Sequence, residues 1–403
     1  MLPETWKLST LDEIAKISSG GTPSRQTPEY WGGDVPWVTT AEVQFGTILD
    51  TAEKITVEGL NNSSAKLFPV DTILMAMYGQ GKTRGQVAKL GIEASTNQAC
   101  AAILLNEGHH VEYYFQFLMS RYEHIREMSN SGGQENLSGG IVKSIQVPVP
   151  PLPEQKKIAQ ILSTWDQAIA TTERLLDLAR QQKKALMQQL LTGKKRFPGF
   201  EGERKKYTLG ELGNTFNGLT GKTKDDFGFG KKYIPYINIF KNSRIDVSAL
   251  ELVDVKEGES QSLSQYGDIF FTTSSETPDE VGMSSVLLDQ VDELYLNSFC
   301  FGYRLFGFDS LLPEFARYLL RSEHVRGEIA VLGQGATRYN LSKKQLMKLE
   351  LTLPPVDEQK KIASVLSGAD QEIETLQSQL DGLKQEKKAL MQELLTGKRR
   401  VLI

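Results

Sequence analysis

One stretch of the chain occurs twice, and that duplication limits what the chain can fold into. Pro150 to Lys194 reads PPLPEQKKIAQILSTWDQAIATTERLLDLARQQKKALMQQLLTGK, and 204 positions on Pro354 to Lys398 reads PPVDEQKKIASVLSGADQEIETLQSQLDGLKQEKKALMQELLTGK. EQKKIA recurs at Glu154–Ala159 and Glu358–Ala363, with KKAL and LLTGK in the same register. Two copies of a unit about half the chain long make a duplicated body, not a solenoid. Whatever one copy does, the function uses two of it.

Each copy reads as a long helix. Prolines precede the start, and Gly193 or Gly397 stands at the stop, a C-cap position. About 38 residues at 1.5 Å each make a rod of roughly 57 Å. The first rod carries Ile158, Trp165, Thr172, Ala179 and Leu186 at sevens, with Leu162, Ile169, Leu176 and Leu190 four residues after. The second carries Ile362, Ala369, Leu376, Leu383 and Leu390, with Leu366, Ile373, Leu380 and Leu394. A stripe of period 3.5 on a charged rod is a coiled-coil seam; the plainer reading is that each helix packs only on its own domain. A domain of about 145 residues has a radius of gyration near 15 Å, with termini often close together. It joins the end of one helix to the start of the next, so the helices are expected to run antiparallel.

The segments between the helices also match, less closely. In the first, Val35–Val38, Ile55–Val57, Thr72–Met77 and Ala101–Leu105 read as short strands, Val111–Met128 as a helix and Ile145–Val149 as a last strand. TLDEI at Thr10 returns as TLGEL at Thr208, VPWV at Val35 as IPYI at Ile234, and ENLSGGIV at Glu135 as YNLSKKQL at Tyr339. The helix Pro313–Ile329 and the strand Asp268–Phe271 belong to the second set. The expected fold is α+β: two mixed globular domains, 1–150 and 196–352, with long helices at 151–195 and 353–403 and a pseudo-twofold repeat.

Composition excludes more than it selects. The formal net charge is −4 with 46 Lys and Arg, so any nucleic-acid surface is local. Cys100 and Cys300 sit in matching NQAC and NSFC and are expected to fill the same core position. Two cysteines and four scattered histidines offer no metal set, and the chain lacks HExxH and GxSxG. No apolar run spans a membrane and the first residues lack a signal-peptide core, so the expectation is a cytoplasmic protein.

The loops carry the candidate readers. GQGKT at Gly79–Thr83 ends like a phosphate-binding loop, but the pattern needs glycine at position 76 and finds Ala76. Gln80, Lys82 and Arg84 among glycines suit contact with base edges and phosphate, with a solvated loop as the alternative. Thr272, Ser274 and Ser275 in FTTSSETPDEVG are base-edge candidates that could equally build a capped turn. Gln134, Gln334 and Arg338 complete the set, while Lys194–Arg196 and Lys398–Arg400 read as solvated helix-end charges.

These motifs resemble the specificity subunit of type I restriction-modification enzymes. GGTPSRQTPEYWGGDVPWV (Gly20–Val38) looks like the opening of its first target-recognition domain, and the two PP…EQKKIA…LLTGK stretches look like its central and C-terminal conserved regions. The resemblance implies a non-catalytic subunit whose domains each recognise half of a split site in double-stranded DNA, with the helices as a ruler. It further implies two docked adenine-N6 methyltransferase subunits and a motor-nuclease subunit, which would bring S-adenosylmethionine, ATP and Mg. The alternative from another class is a coiled-coil interaction scaffold whose end domains bind protein or glycan.

Overall fold

A computed structural model of the chain describes residues 2–79, 81–129, 136–335 and 338–403. It contains two compact units, residues 1–173 with 378–403, and residues 174–377. The boundary falls within the long helices rather than at their ends, so each unit takes half of each helix.

In the first unit a five-stranded sheet runs, in order, Ala15–Ser19, Cys100–Leu105, Ile73–Ala76, Val87–Leu90, Thr47–Ile48. Ile73–Ala76 has no polar residue because both its faces are covered: Ile73 and Met75 enter one apolar cluster, Leu74 and Ala76 another. The second unit repeats this with Gly213–Asn217, Cys300–Leu305, Ile269–Thr272 and Ser284–Val286, Ile269 and Phe271 facing one cluster and Phe270 the other. Each unit also has a three-stranded sheet, on Trp31–Val38 or Phe227–Ile234, with a register shift where Gly32 or Gly228 takes a positive φ.

Cys100 and Cys300 occupy matching core positions, and burial pushes each thiol up to about 12. Neither thiol is accessible or ionised at pH 8, so iodoacetamide is expected to leave the native chain unlabelled and to label both sites in denaturant, as read by intact mass. Labelling of the native chain would contradict the packing.

The helices expected at Val111–Met128 and Pro313–Ile329 are each broken in two: Val111–Ser120 then Tyr122–Glu127, and Pro313–Leu319 then Glu323–Leu332. Arg121 leaves helical geometry at ψ 9°, and Ser322 is extended and caps the next helix through Val325 N–H. The strand expected to reach Val57 stops at Ile55, because Thr56 caps a short helix through Gly59 N–H, 3.0 Å.

The long helices span Leu152–Leu190 and Val356–Leu394. No residue of the apolar stripe is exposed, whereas Leu175 and Leu178 off it are 48% and 50% exposed. Ile158, Leu162 and Leu394 enter the first unit's core, and Leu190, Ile362 and Leu366 the second's. In the first unit Lys387 pairs with Asp166 and Lys384 with Glu173; in the second Lys183 pairs with Asp370 and Arg180 with Gln377. In each, one partner number rises as the other falls, so the helix halves run antiparallel within the unit. Lys387–Asp166 and Lys183–Asp370 are the same pair, 204 positions apart.

The repeated EQ is what joins helix to domain. Gln155 Nε2 donates to the Pro150 carbonyl (2.8 Å) and its Oε1 accepts from His110 N–H (2.8 Å). Gln359 does the same with Pro354 (2.9 Å) and Leu312 (2.9 Å). Glu154 and Glu358 are buried and accept from Arg400 and Arg196, with Arg196 Nη2 2.5 Å from Glu358 Oε2. Those two arginines are therefore paired with buried glutamates rather than free helix-end charges, although the Arg400 side chain stays 44% exposed. The turn at Gly193 (φ 77°) or Gly397 (φ 74°) folds the basic tail back onto the start of the other long helix. No helix among the described residues is long and apolar enough to cross a membrane.

Candidate nucleic-acid interface

In each unit a loop leaves the fully buried central strand and turns back into its antiparallel neighbour. In the first unit Ala76 N–H bonds to the Gln86 carbonyl and Gly85 N–H to the Ala76 carbonyl, each 2.9 Å, closing the loop between. Lys82 is exposed on it, and Tyr78 is 41% exposed at its start. Arg84 is only 7% exposed, so its side chain belongs to the loop's base and not to a reading surface. Gln80 and Gln134 lie outside the described residues.

In the second unit the corresponding loop gives up two of its candidates to structure. Thr272 is fully buried and its Oγ1 accepts from Met283 N–H at 2.9 Å, which ends the strand ladder. Ser275, 7% exposed, accepts from Thr277 N–H (3.3 Å) and donates to Glu280 (3.2 Å), which Thr277 Oγ1 also reaches (3.0 Å). This is the capped turn, and it removes Thr272 and Ser275 from the readers.

The remaining candidates converge. Ser274–Ser275, Tyr339–Leu341 and Gly333–Gln334 form a small sheet whose register sets Ser274, Asn340 and Gln334 side by side. Cross-strand neighbours point to one face, so their side chains make a polar row. Arg338 Nε donates to Ser274 Oγ at 3.2 Å, which brings the guanidinium onto that row. Gln334, Arg338 and Asn340 are exposed and Ser274 is half-buried. Phe299, 71% exposed, stands beside them, its carbonyl accepting from Thr273 N–H at 3.2 Å. Amide and guanidinium groups with an open aromatic can take both the hydrogen-bonding edges and the flat faces of bases.

The scaffold beneath is common to both units. Met77 N–H bonds to the Ala99 carbonyl (2.8 Å) and Leu137 N–H to the Met77 carbonyl (2.9 Å); Thr273 stands in the same two bonds with Phe299 (3.2 Å) and Leu341 (2.8 Å). Tyr78 thus corresponds to Ser274, Ala99 to Phe299 and Asn136 to Asn340. Tyr78, Phe299 and Asn340 were not evident as site residues in the sequence. The pairing of NQAC with NSFC carried the signal for Phe299, since an apolar residue changes there beside a matched core cysteine. No cluster of side chains among the described residues could hold a metal ion.

Fold and site together define a duplicated recognition body, and comparison with known proteins agrees. The sequence signature of the type I restriction modification DNA specificity domain matches residues 3–180 and 201–385, and the chain belongs to that family. Over 99% of its length it is 26% identical to the type I restriction enzyme MjaVIII specificity subunit of Methanocaldococcus jannaschii, covering 94% of that protein. It is 33% identical to the EcoR124I/EcoR124II specificity subunit of Escherichia coli over 40% of each chain. The fold is similar to the crystal structure of a type I restriction-modification S subunit from M. genitalium (TM-score 0.59, 15% identity, 97% and 96% of the two chains covered). A second structure, of a complex in a type I restriction-modification system, contains a chain matching with TM-score 0.61 at 18% identity, covering 99% of this chain and 100% of that one.

Proposed function

We propose that this chain is the non-catalytic DNA-specificity subunit of a type I restriction-modification complex, each unit reading one half of a bipartite site. The observation that carries the reading is the tandem match, one specificity domain to each copy of a common scaffold whose exposed residues differ between copies. Two readers of unlike surface suit two unlike half-sites. The repeated helix regions suit two equivalent docking faces for methyltransferase subunits, with motor-nuclease subunits completing the complex. S-adenosylmethionine, ATP and Mg would belong to those partners, and the cytoplasm is where such a complex would meet DNA. The scaffold reading loses its ground, because the curated relatives are themselves specificity subunits.

The test is a map of N6-methyladenine in DNA from cells expressing the chain with its cognate methyltransferase. The expected motif has two defined halves separated by an undefined spacer, and exchanging residues 1–150 should change one half alone. A continuous motif, or none, defeats the proposal. If the helices set the spacer, four residues added to both (~6 Å) should lengthen it by roughly two base pairs at 3.4 Å. An unchanged spacer would defeat the ruler.

A further inference from the structure

Arg121-Tyr-Glu-His-Ile-Arg126 recurs as Arg321-Ser-Glu-His-Val-Arg326, and the last arginine of each copy reaches the same place. Arg126 Nη2 donates to the Gly81 carbonyl at 2.7 Å, and its Nη1 meets the Tyr122 hydroxyl at 3.2 Å, which itself donates to the Lys82 carbonyl. Arg326 donates to the carbonyls of Gly282 (2.7 Å), Asp279 (2.8 Å) and Val281 (2.6 Å). Each set of acceptors lies on the loop that leaves its unit's central strand. Within the loops, every acceptor is a main-chain oxygen. Both loops also end on a left-handed glycine against the same helix: Gly85 (φ 83°), whose Cβ would lie 3.0 Å from Arg126 Cγ, and Gly282 (φ 64°), whose Cβ would lie 2.8 Å from Ile329 Cγ2.

We propose that Arg126 and Arg326 are positioning residues for DNA readout, each fixing the path of its unit's reading loop through backbone carbonyls. The proposal rests on the specificity reading above and extends it to how the readers are held. An anchor that grips carbonyls makes no demand on loop side chains. The two loops, GQGKTR and SSETPDEV, have no side-chain pattern in common, yet both carry the grip. Side chains at the tips can therefore change between copies while the height of the loop above the sheet stays the same. A merely structural arginine would instead lower the amount of folded protein, and with it the rate, without changing the discrimination of the molecules that remain folded.

The test uses the full chain assembled with its methyltransferase and measures initial methylation rates across a library varying each half-site. Wild type comes first: absence of a two-part preference overturns the specificity reading, and this proposal with it. Given that preference, Arg326→Ala should cut discrimination by about 10-fold at the half-site read by the second unit, leaving the other unchanged. Arg126→Ala should do the reverse. Arg326→Lys, which retains the charge but only one donor group able to reach the carbonyls, should fall between, and it carries the test if the alanine variant does not fold. Unchanged discrimination at both half-sites with only a slower rate, or equal relaxation of both, overturns the proposal.

Discussion

Replacing Arg321 by methionine lowers the stability of the second unit by about 3–5 kcal/mol, because buried carbonyls lose a charged donor with nothing to replace it. The guanidinium donates to Ser284 O (2.6 Å), Ile239 O (2.7 Å), Asn242 O (2.8 Å) and Phe240 O (3.1 Å). It ties a sheet strand to the helix Tyr236–Lys241 and the chain after it. Burial brings the arginine down to about 10, still protonated at neutral pH. Methionine fills similar volume but leaves these carbonyls to whatever water can enter. Arg121 holds the same place in the first unit's motif, is exposed, and makes no side-chain hydrogen bond among the described residues. Arg121→Met should therefore stay within about 0.5 kcal/mol of wild type. Thermal unfolding of the two variants checks both figures, and equal losses would refute the assignment of Arg321 to the frame.

The second large effect is on recognition. Arg338→Ala should lower methylation of the cognate site by roughly 10- to 100-fold, since one good base contact is worth about 1–3 kcal/mol. The loss should be confined to discrimination at one half-site, because Arg338 stands on the polar row of the second unit only. Lys82→Ala in the first unit should instead weaken binding to all sequences alike and flatten its salt dependence, as loss of a phosphate contact does. A uniform loss for Arg338→Ala would move that residue from base to backbone contact.

Much of this architecture is legible in the sequence, and the residues say why. Ile158, Leu162, Ile362 and Leu366 are legible because a helix prints its packing face at a fixed period. The pairing of Glu154 with Arg400 is not, since nothing local marks which of three consecutive basic residues reaches the buried glutamate. The site divides in the same way. Arg338 and Gln334 stood out as polar residues among glycines, and the structure brings them together. Thr272 and Ser275 have the same chemistry, but strand pairing and a turn cap use up their hydroxyls: Thr272 depends on a partner 11 residues away and Ser275 on a turn whose geometry composition does not fix. Phe299 reads as core beside Cys300 and Phe301, but it lies in the turn just before the strand Cys300–Leu305 and is exposed there.

The sharing of each long helix between two units has a consequence for biosynthesis. Residues 174–377 form one continuous unit, whereas the other needs residues 1–173 and then 378–403. Met391, Leu394 and Leu395 belong to that unit's core, and a Cβ on Gly397 would lie 2.5 Å from Pro3. At about 5–20 residues per second, the ribosome takes roughly 10–40 s to supply the missing piece. The portion made first is thus completed last, its apolar surface waiting for the tail while the later unit closes first. A chain built this way is most exposed to chaperones and proteases at its N-terminal half, and a nascent chain released early would lose the first reader before the second.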